Sequence, residues 1–210
     1  MITPVLPAVA AGDDMMTGTL SVNGNRFVFS SVSSFKEIAS EVSASLERRS
    51  PILTVDVDGF NRRIVNNALI SKTKTRRSEH WVLTGVTVID DVFDAFHMGA
   101  DTLLIPYHNV SPNLLKEIND ISDCCIPVIM TNGMSSFSVS GNESIIDSMR
   151  NVQRCGSPDV IVLNTSEEDI WDDILKENER TIPLVFGNAS KIIEKGFSDV
   201  LEVLSQVHTT

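Results

Sequence analysis

Eight short apolar runs punctuate this chain, at residues 3–9, 52–57, 80–83, 102–105, 127–130, 160–163, 183–186 and 199–203. Each is too short for a stable helix and lacks polar alternation, as expected of strands covered on both faces. The stretches between them carry helix signals. Ser34 and Glu37 form a capping-box pair ahead of Ile38, Val42 and Leu46, and Ser166 with Asp169 precedes Ile170 and Ile174. Ser111 opens a segment with Pro112 just inside it, where proline is tolerated. Gly99, Gly156 and Gly196 each end a helical run shortly before the next strand. Strand and helix alternating in this way specify parallel βαβ units, and eight parallel strands close most economically on themselves.

The expected fold is therefore α/β, a compact (β/α)8 TIM barrel formed by residues 1–210 as one domain. An open doubly wound sheet of five or six strands is the alternative, and it requires the third and eighth runs to be something other than strands. Residues 17–31 read as a β-hairpin inserted after the first strand. Thr19, Leu20 and Val22 face Phe27, Val28 and Phe29 across Asn23-Gly24. Such a hairpin would sit at the C-terminal mouth, where barrel enzymes do their chemistry. Residues 133–142 after the fifth strand, rich in Ser and Gly, read as a mobile loop.

Composition narrows the function. With 42% hydrophobic residues among 210, the chain can bury a full core. Its 17 Lys and Arg against 28 Asp and Glu give a net charge of −11, which argues against a nucleic-acid partner, and 6% aromatics leave little for base stacking. Three cysteines, with Cys124 and Cys125 adjacent, form no disulfide framework and suit a reducing, cytoplasmic location. No apolar run approaches the ~20 residues that a membrane span needs, so no membrane partner is expected. His80, His97, His108 and His208 show no ligand spacing, so neither a metal nor another cofactor is expected.

The order of elements resembles the histidine-biosynthesis barrels, the phosphoribosyl Amadori isomerase and its cyclase sister. The likeness rests on Ile2-Thr3-Pro4-Val5-Leu6, the hairpin that follows, and Thr54-Val55-Asp56-Val57-Asp58-Gly59. It continues through Thr84-Gly85-Val86-Thr87, the run from Asp90 to Phe96, and Gly99-Ala100-Asp101. The resemblance implies a phosphorylated, sugar-like ligand and an acid/base pair of aspartates at the ends of the first and fifth strands. The matching positions are Pro7, Ala8 or Val9, and Met130 or Thr131, none of which exchanges a proton at neutral pH. Family phosphate sites use glycine-rich turns after strands three, four, seven and eight. Here only Gly85 and the Gly187-Asn188-Ala189-Ser190 turn remain, and Glu202 on strand eight would repel an anion. The inherited Amadori reaction is thus not expected to survive.

The strand ends define a polar ring without reference to any family. Asp58, His108 and Asp56 are the acid/base candidates, with Asp56 and Asp58 two apart and so on one strand face. For Asp56 or Asp58 the plainer role is to orient loops by hydrogen bonds, and for His108 it is to be solvated or hydrogen-bonded. Gly85, Gly187, Asn188, Ser190, Asn132, Asn164 and Arg62 are the ligand-binding candidates. The turn at Gly187 to Ser190 serves equally as a tight turn with a helix cap. Arg62 and Arg63 follow strand two and could reach a phosphate, whereas Lys72, Lys74, Arg76 and Arg77 precede strand three and belong at the opposite end, as a solvated face or a subunit contact. Tyr107 could donate to a ligand or simply pack. Three functions stay open: a phosphosugar isomerase or lyase, a non-catalytic barrel acting as a sensor or a subunit of an assembly such as a homo-oligomer, and an unrelated barrel of the thiazole-synthase type, which lacks the lysine it would need. The chain is also about 40 residues below a typical barrel, and the missing length is expected in the βα loops.

Overall fold

A computed structural model describes residues 1–204, leaving out the side chains at 31 and 32, so His208 lies outside the described residues. The chain opens with strand β1 (Ile2–Ala11), which runs on into β2 (Asp14–Asn23) and β3 (Arg26–Ser34). Helix α1 (Phe35–Ser45) leads to β4 (Pro51–Asp56), α2 (Val57–Arg62) and α3 (Asn67–Thr73). The units β5 (Glu79–Leu83), α4 (Ile89–His97), β6 (Thr102–Pro106) and α5 (Pro112–Ile121) follow, with a 3-10 turn at Tyr107–Asn109 between the last two. Next come β7 (Cys125–Asn132), β8 (Ser135–Ser138), β9 (Gly141–Ser144) and α6 (Ile145–Arg154). The described chain ends with β10 (Val160–Asn164), α7 (Trp171–Glu177), β11 (Thr181–Val185), α8 (Ala189–Glu194) and β12 (Val200–Val203).

Eight of these strands pair in parallel as β1-β4-β5-β6-β7-β10-β11-β12, and β12 returns to β1 with Ile2 opposite Val200 and Val5 opposite Val203. The sheet is a closed (β/α)8 barrel, which excludes the open doubly wound alternative. The third and eighth runs are strands β5 and β12. Alternate strand residues explain why no run alternates in polarity. Leu53, Val55, Leu83, Leu104, Val128 and Ile161 fill the barrel interior, while Val82, Leu103, Ile105, Ile129 and Val162 pack outward. Their outward partners are helix residues such as Val92, Leu115, Met149 and Ile174. Both faces are dry, so both halves of each strand must be apolar.

The short length is absorbed by the helices rather than by the βα loops. The helices span only 6 to 11 residues. Two βα connections are instead enlarged by hairpins. In the first, Gly24 and Asn25 make the turn between Asn23 and Arg26, and only Gly24 has positive φ, at 63°. The turn therefore sits one residue later than Asn23-Gly24 suggested, as in a type II′ turn. Val28 is consequently opposite Ser21 and exposed, while Leu20, Val22, Phe27 and Phe29 face the barrel. The second hairpin, β8–β9, occupies the segment read as a mobile loop, with Ser135 paired to Ser144 and Ser138 to Gly141. Ser and Gly hid its strands from the sequence pattern, because only Phe137 marks an inward face.

Local signals fare unevenly. Ser111 Oγ accepts from Leu114 N at 3.2 Å, with Pro112 opening α5. Gly99, Gly156 and Gly196 all have positive φ just past their helices. Ser34 stands at the N-terminus of α1 but makes no side-chain cap, since it is still paired with Met16 in β3. Asp169, not Ser166, accepts from the Trp171 amide that begins α7. Among the described residues no helix is long and apolar enough to cross a membrane.

Candidate functional site

The mouth of the barrel is stoppered. Leu20 and Phe27 from the first hairpin, and Val57 and Phe60 from the start of α2, are buried in the same cluster as the interior strand residues. The Phe27 and Phe60 rings lie 4.5 Å apart between centroids. Asn61 holds this arrangement, accepting from Phe27 N at 2.9 Å and donating to Phe27 O at 2.8 Å. Below the stopper, Met130 at the fifth-strand position is fully buried.

The acid/base candidates are dispersed around this plug. Asp56 ends β4, is 0% exposed, and caps α2: its Oδ1 accepts from Gly59 N at 2.9 Å and its Oδ2 from Thr84 Oγ1 at 2.7 Å. Burial raises its carboxyl to about 6 against the pull of those bonds. Asp58 does not share a strand face with it, because the strand ends at Asp56 and Asp58 lies half-buried in the first turn of α2. His108 sits in the 3-10 turn after β6, 5% exposed, with its ring 5.4 Å from that of Phe60. Burial, and then the charge of Arg63, lower it to about 4, so the ring is neutral at pH 7. It is therefore not solvated, and its Nδ1 has no hydrogen-bond partner among the described residues. Tyr107 is buried, and burial pushes its hydroxyl up to about 12.

Gly85 has a packing reason. A Cβ there would stand 2.2 Å from Gly59 O and 2.4 Å from Ile64 N, so the α2–α3 link crosses directly over it. Arg62 is exposed in the last turn of α2, Asn132 is exposed where β7 turns into β8, and Ser190 is exposed in the first turn of α8.

Three ligand-binding candidates do meet. Asn164, Gly187 and Asn188 line a cavity of about 830 Å³ between the first hairpin and the loops after β10 and β11. Asn164 organises its floor: Oδ1 accepts from Gly133 N and Ser166 N, and Nδ2 donates to Glu168 O at 2.8 Å. Gly187 and Asn188 both take left-handed backbone, with φ of 89° and 62°. The next amide, Ala189 N, donates to Glu202 Oε1 at 3.2 Å, so the chain's own carboxylate meets the helix start where a phosphate was expected. Ser21, Thr165, Trp171, Phe186, Lys191 and Lys195 complete much of the lining. Lys195 is held by Asp169 and Asp172, both at 2.9 Å. Reading strand ends alone missed Lys191 and Lys195, which reach the cavity from a helix face one and two turns beyond Asn188. Among the described residues no group of three His, Cys, Asp or Glu is placed to hold a metal ion.

By its fold the chain is a (β/α)8 barrel protein. A scan against protein-family models finds no match, and a search of curated proteins finds none either. Of the likeness to the histidine-biosynthesis barrels, the closed barrel of eight parallel strands with helices between them is shown.

Proposed function

We propose that this chain is a non-catalytic barrel that senses a small, hydroxyl-rich anion of the sugar-phosphate class, bound in the cavity between the inserted hairpin and the loops after β10 and β11. The observation that carries the reading is the stopper. Leu20, Phe27 and Phe60 fill the volume where a barrel enzyme keeps its reacting atoms, while about 830 Å³ stays open beside them. Asp56 and Thr84, polar groups that such an enzyme would aim at substrate, are joined to each other. The cavity offers hydroxyls and amides from Ser21, Asn164, Thr165 and Asn188, an aromatic wall at Trp171 and Phe186, and the ammonium of Lys191, beside the carboxylates of Glu167 and Glu168 and an Asp169 already paired with Lys195. A ligand phosphate would be met by Lys191, since Glu202 holds the Ala189 amide. A reducing, cytoplasmic location belongs to this reading and is supported by three free cysteines.

The competing reading keeps Asp58 and His108 as the acid/base pair of an isomerase or lyase. It is disfavoured by the burial of His108 against Phe60. Thermal melting with ribose, ribose 5-phosphate, glucose 6-phosphate and inorganic phosphate separates the two. A sugar phosphate at 100 times its dissociation constant adds about 2.7 kcal/mol, a shift that Lys191→Glu should abolish, with no turnover of an Amadori substrate. Absence of any shift, or turnover lost in His108→Asn, would overturn the proposal.

A further inference from the structure

The opposite end of the barrel carries charge of the other sign. Four successive αβ loops surround a second cavity, of about 490 Å³, whose lining includes Arg49, Lys74, Arg76 and Arg77. Two acids, Glu79 and Asp101, share it. Asp101 is already engaged, accepting from His80 N at 2.9 Å and pairing with Lys74 at 3.4 Å. Among the described residues Arg49, Arg76 and Arg77 make no ion pair with a carboxylate. A chain of net charge −11 has therefore gathered four cations against two acids around one hollow, an excess that like-charge repulsion disfavours unless an anion enters.

The hollow is built rather than incidental. Arg49 is held in left-handed backbone, φ 72°, and its amide donates to Arg77 O at 2.8 Å, which ties the two arginine loops together. Such a conformation is unfavourable for a residue with a side chain. His80, behind the loop that carries Lys74, is hydrogen-bonded to Thr73 Oγ1 and Gly99 O, which fixes the end of α3. Ser78 lines the same cavity, is 7% exposed, and its hydroxyl has no hydrogen-bond partner among the described residues. Buried hydroxyls are rarely left so.

We propose that this N-terminal hollow is a binding site for a short polyphosphate, either inorganic or the phosphate tail of a nucleotide. Arginine forks grip phosphate oxygens bidentately, and Arg49, Arg76 and Arg77 outnumber what one phosphate needs. A concave site of this size admits a short chain, while the negative remainder of the surface repels a long one. The site is independent of the sugar-phosphate cavity at the mouth, and either stands if the other fails.

Calorimetry at low ionic strength with pyrophosphate, triphosphate, a nucleoside monophosphate and a nucleoside triphosphate tests it. Triphosphate should bind more tightly than pyrophosphate, and the nucleoside monophosphate least. Equal affinity for triphosphate and the nucleoside triphosphate assigns the phosphate chain as the recognised group, and tighter nucleotide binding adds a base contact. Arg76→Gln should weaken binding about tenfold and Arg76→Lys less, because the fork is lost but the charge kept. Arg49→Asn, which tolerates left-handed backbone, should weaken it similarly, and Lys116→Gln, exposed on α5 and lining neither cavity, should leave it unchanged. No binding of triphosphate, or undiminished binding by the folded Arg49→Asn/Arg76→Gln double variant, would overturn the assignment.

Discussion

Asn61 clasps the backbone of Phe27 with both ends of its amide, 34 positions away in sequence, and so seats the inserted hairpin on the barrel. Asn61→Ala leaves a partly buried N–H and C=O without partners, at roughly 1–3 kcal/mol. The expected result is a stable fold with a lowered denaturation midpoint and faster amide exchange at Phe27. Exchange unchanged at that amide would mean that the clasp does not hold the hairpin. Phe27→Ala removes a ring from the stopper and should be worse, about 3–5 kcal/mol.

Asp56 makes the barrel more stable in acid than its other carboxylates would. Its folded carboxyl is raised to about 6 from 3.8, so its contribution is full below 3.8 and fades as pH rises through 6. In Asp56→Asn, Oδ1 keeps the Gly59 amide, and Nδ2 can donate to Thr84 Oγ1 while that hydroxyl donates to Ile64 O. The variant should gain up to about 3 kcal/mol at pH 7 and nothing below pH 4, which urea unfolding at the two pH values will show.

His80 and His108 act in the opposite sense. Both fall to about 4 from 6.5 because they are buried, so their stabilisation is present above 6.5 and is lost as pH falls toward 4. Each should withdraw roughly 2 kcal/mol between pH 7 and pH 5. His108→Phe, placed beside Phe60, should lose correspondingly less over that interval than the parent. An identical loss would place the titration elsewhere.

Gly85→Ala should be among the most damaging single changes, since its methyl meets backbone at 2.2 Å from Gly59 O in α2 and at 2.4 Å and 2.6 Å from Ile64 N and Arg63 Cα in the α2–α3 link. Gly24→Ala has nothing within 4 Å and should cost only the left-handed strain, about 1–2 kcal/mol. Comparable midpoints for the two variants would contradict the close approach.

The barrel was legible because burial on both faces forces continuous apolar runs, a local signal that each strand carries by itself. The β8–β9 hairpin was not, since Ser135, Ser136 and Ser138 leave Phe137 as the one apolar residue in its two strands. Site residues were legible only as strand ends. Nothing near Asp56 in sequence says that Thr84, 28 positions on, takes its second oxygen, and nothing near Gly187 says that Glu202 reaches the Ala189 amide. Counting elements puts Lys72, Lys74, Arg76 and Arg77 at the N-terminal end; the last three line the hollow, whereas Lys72 donates to Asp13 O at 2.8 Å, and Arg49 joins through a turn that no pattern announces.

Strand β1 is at once a stave of the barrel, through Val5 and Ala8 opposite Leu53 and Asp56, and the first strand of its cover, through Val9 opposite Met16. Uncovering the axis means parting Phe27 from Phe60 and breaking the Asn61 clasp on a strand continuous with the wall, so the barrel centre should become reachable only by local unfolding. A molecule that exchanges quickly with this protein must do so at its margins.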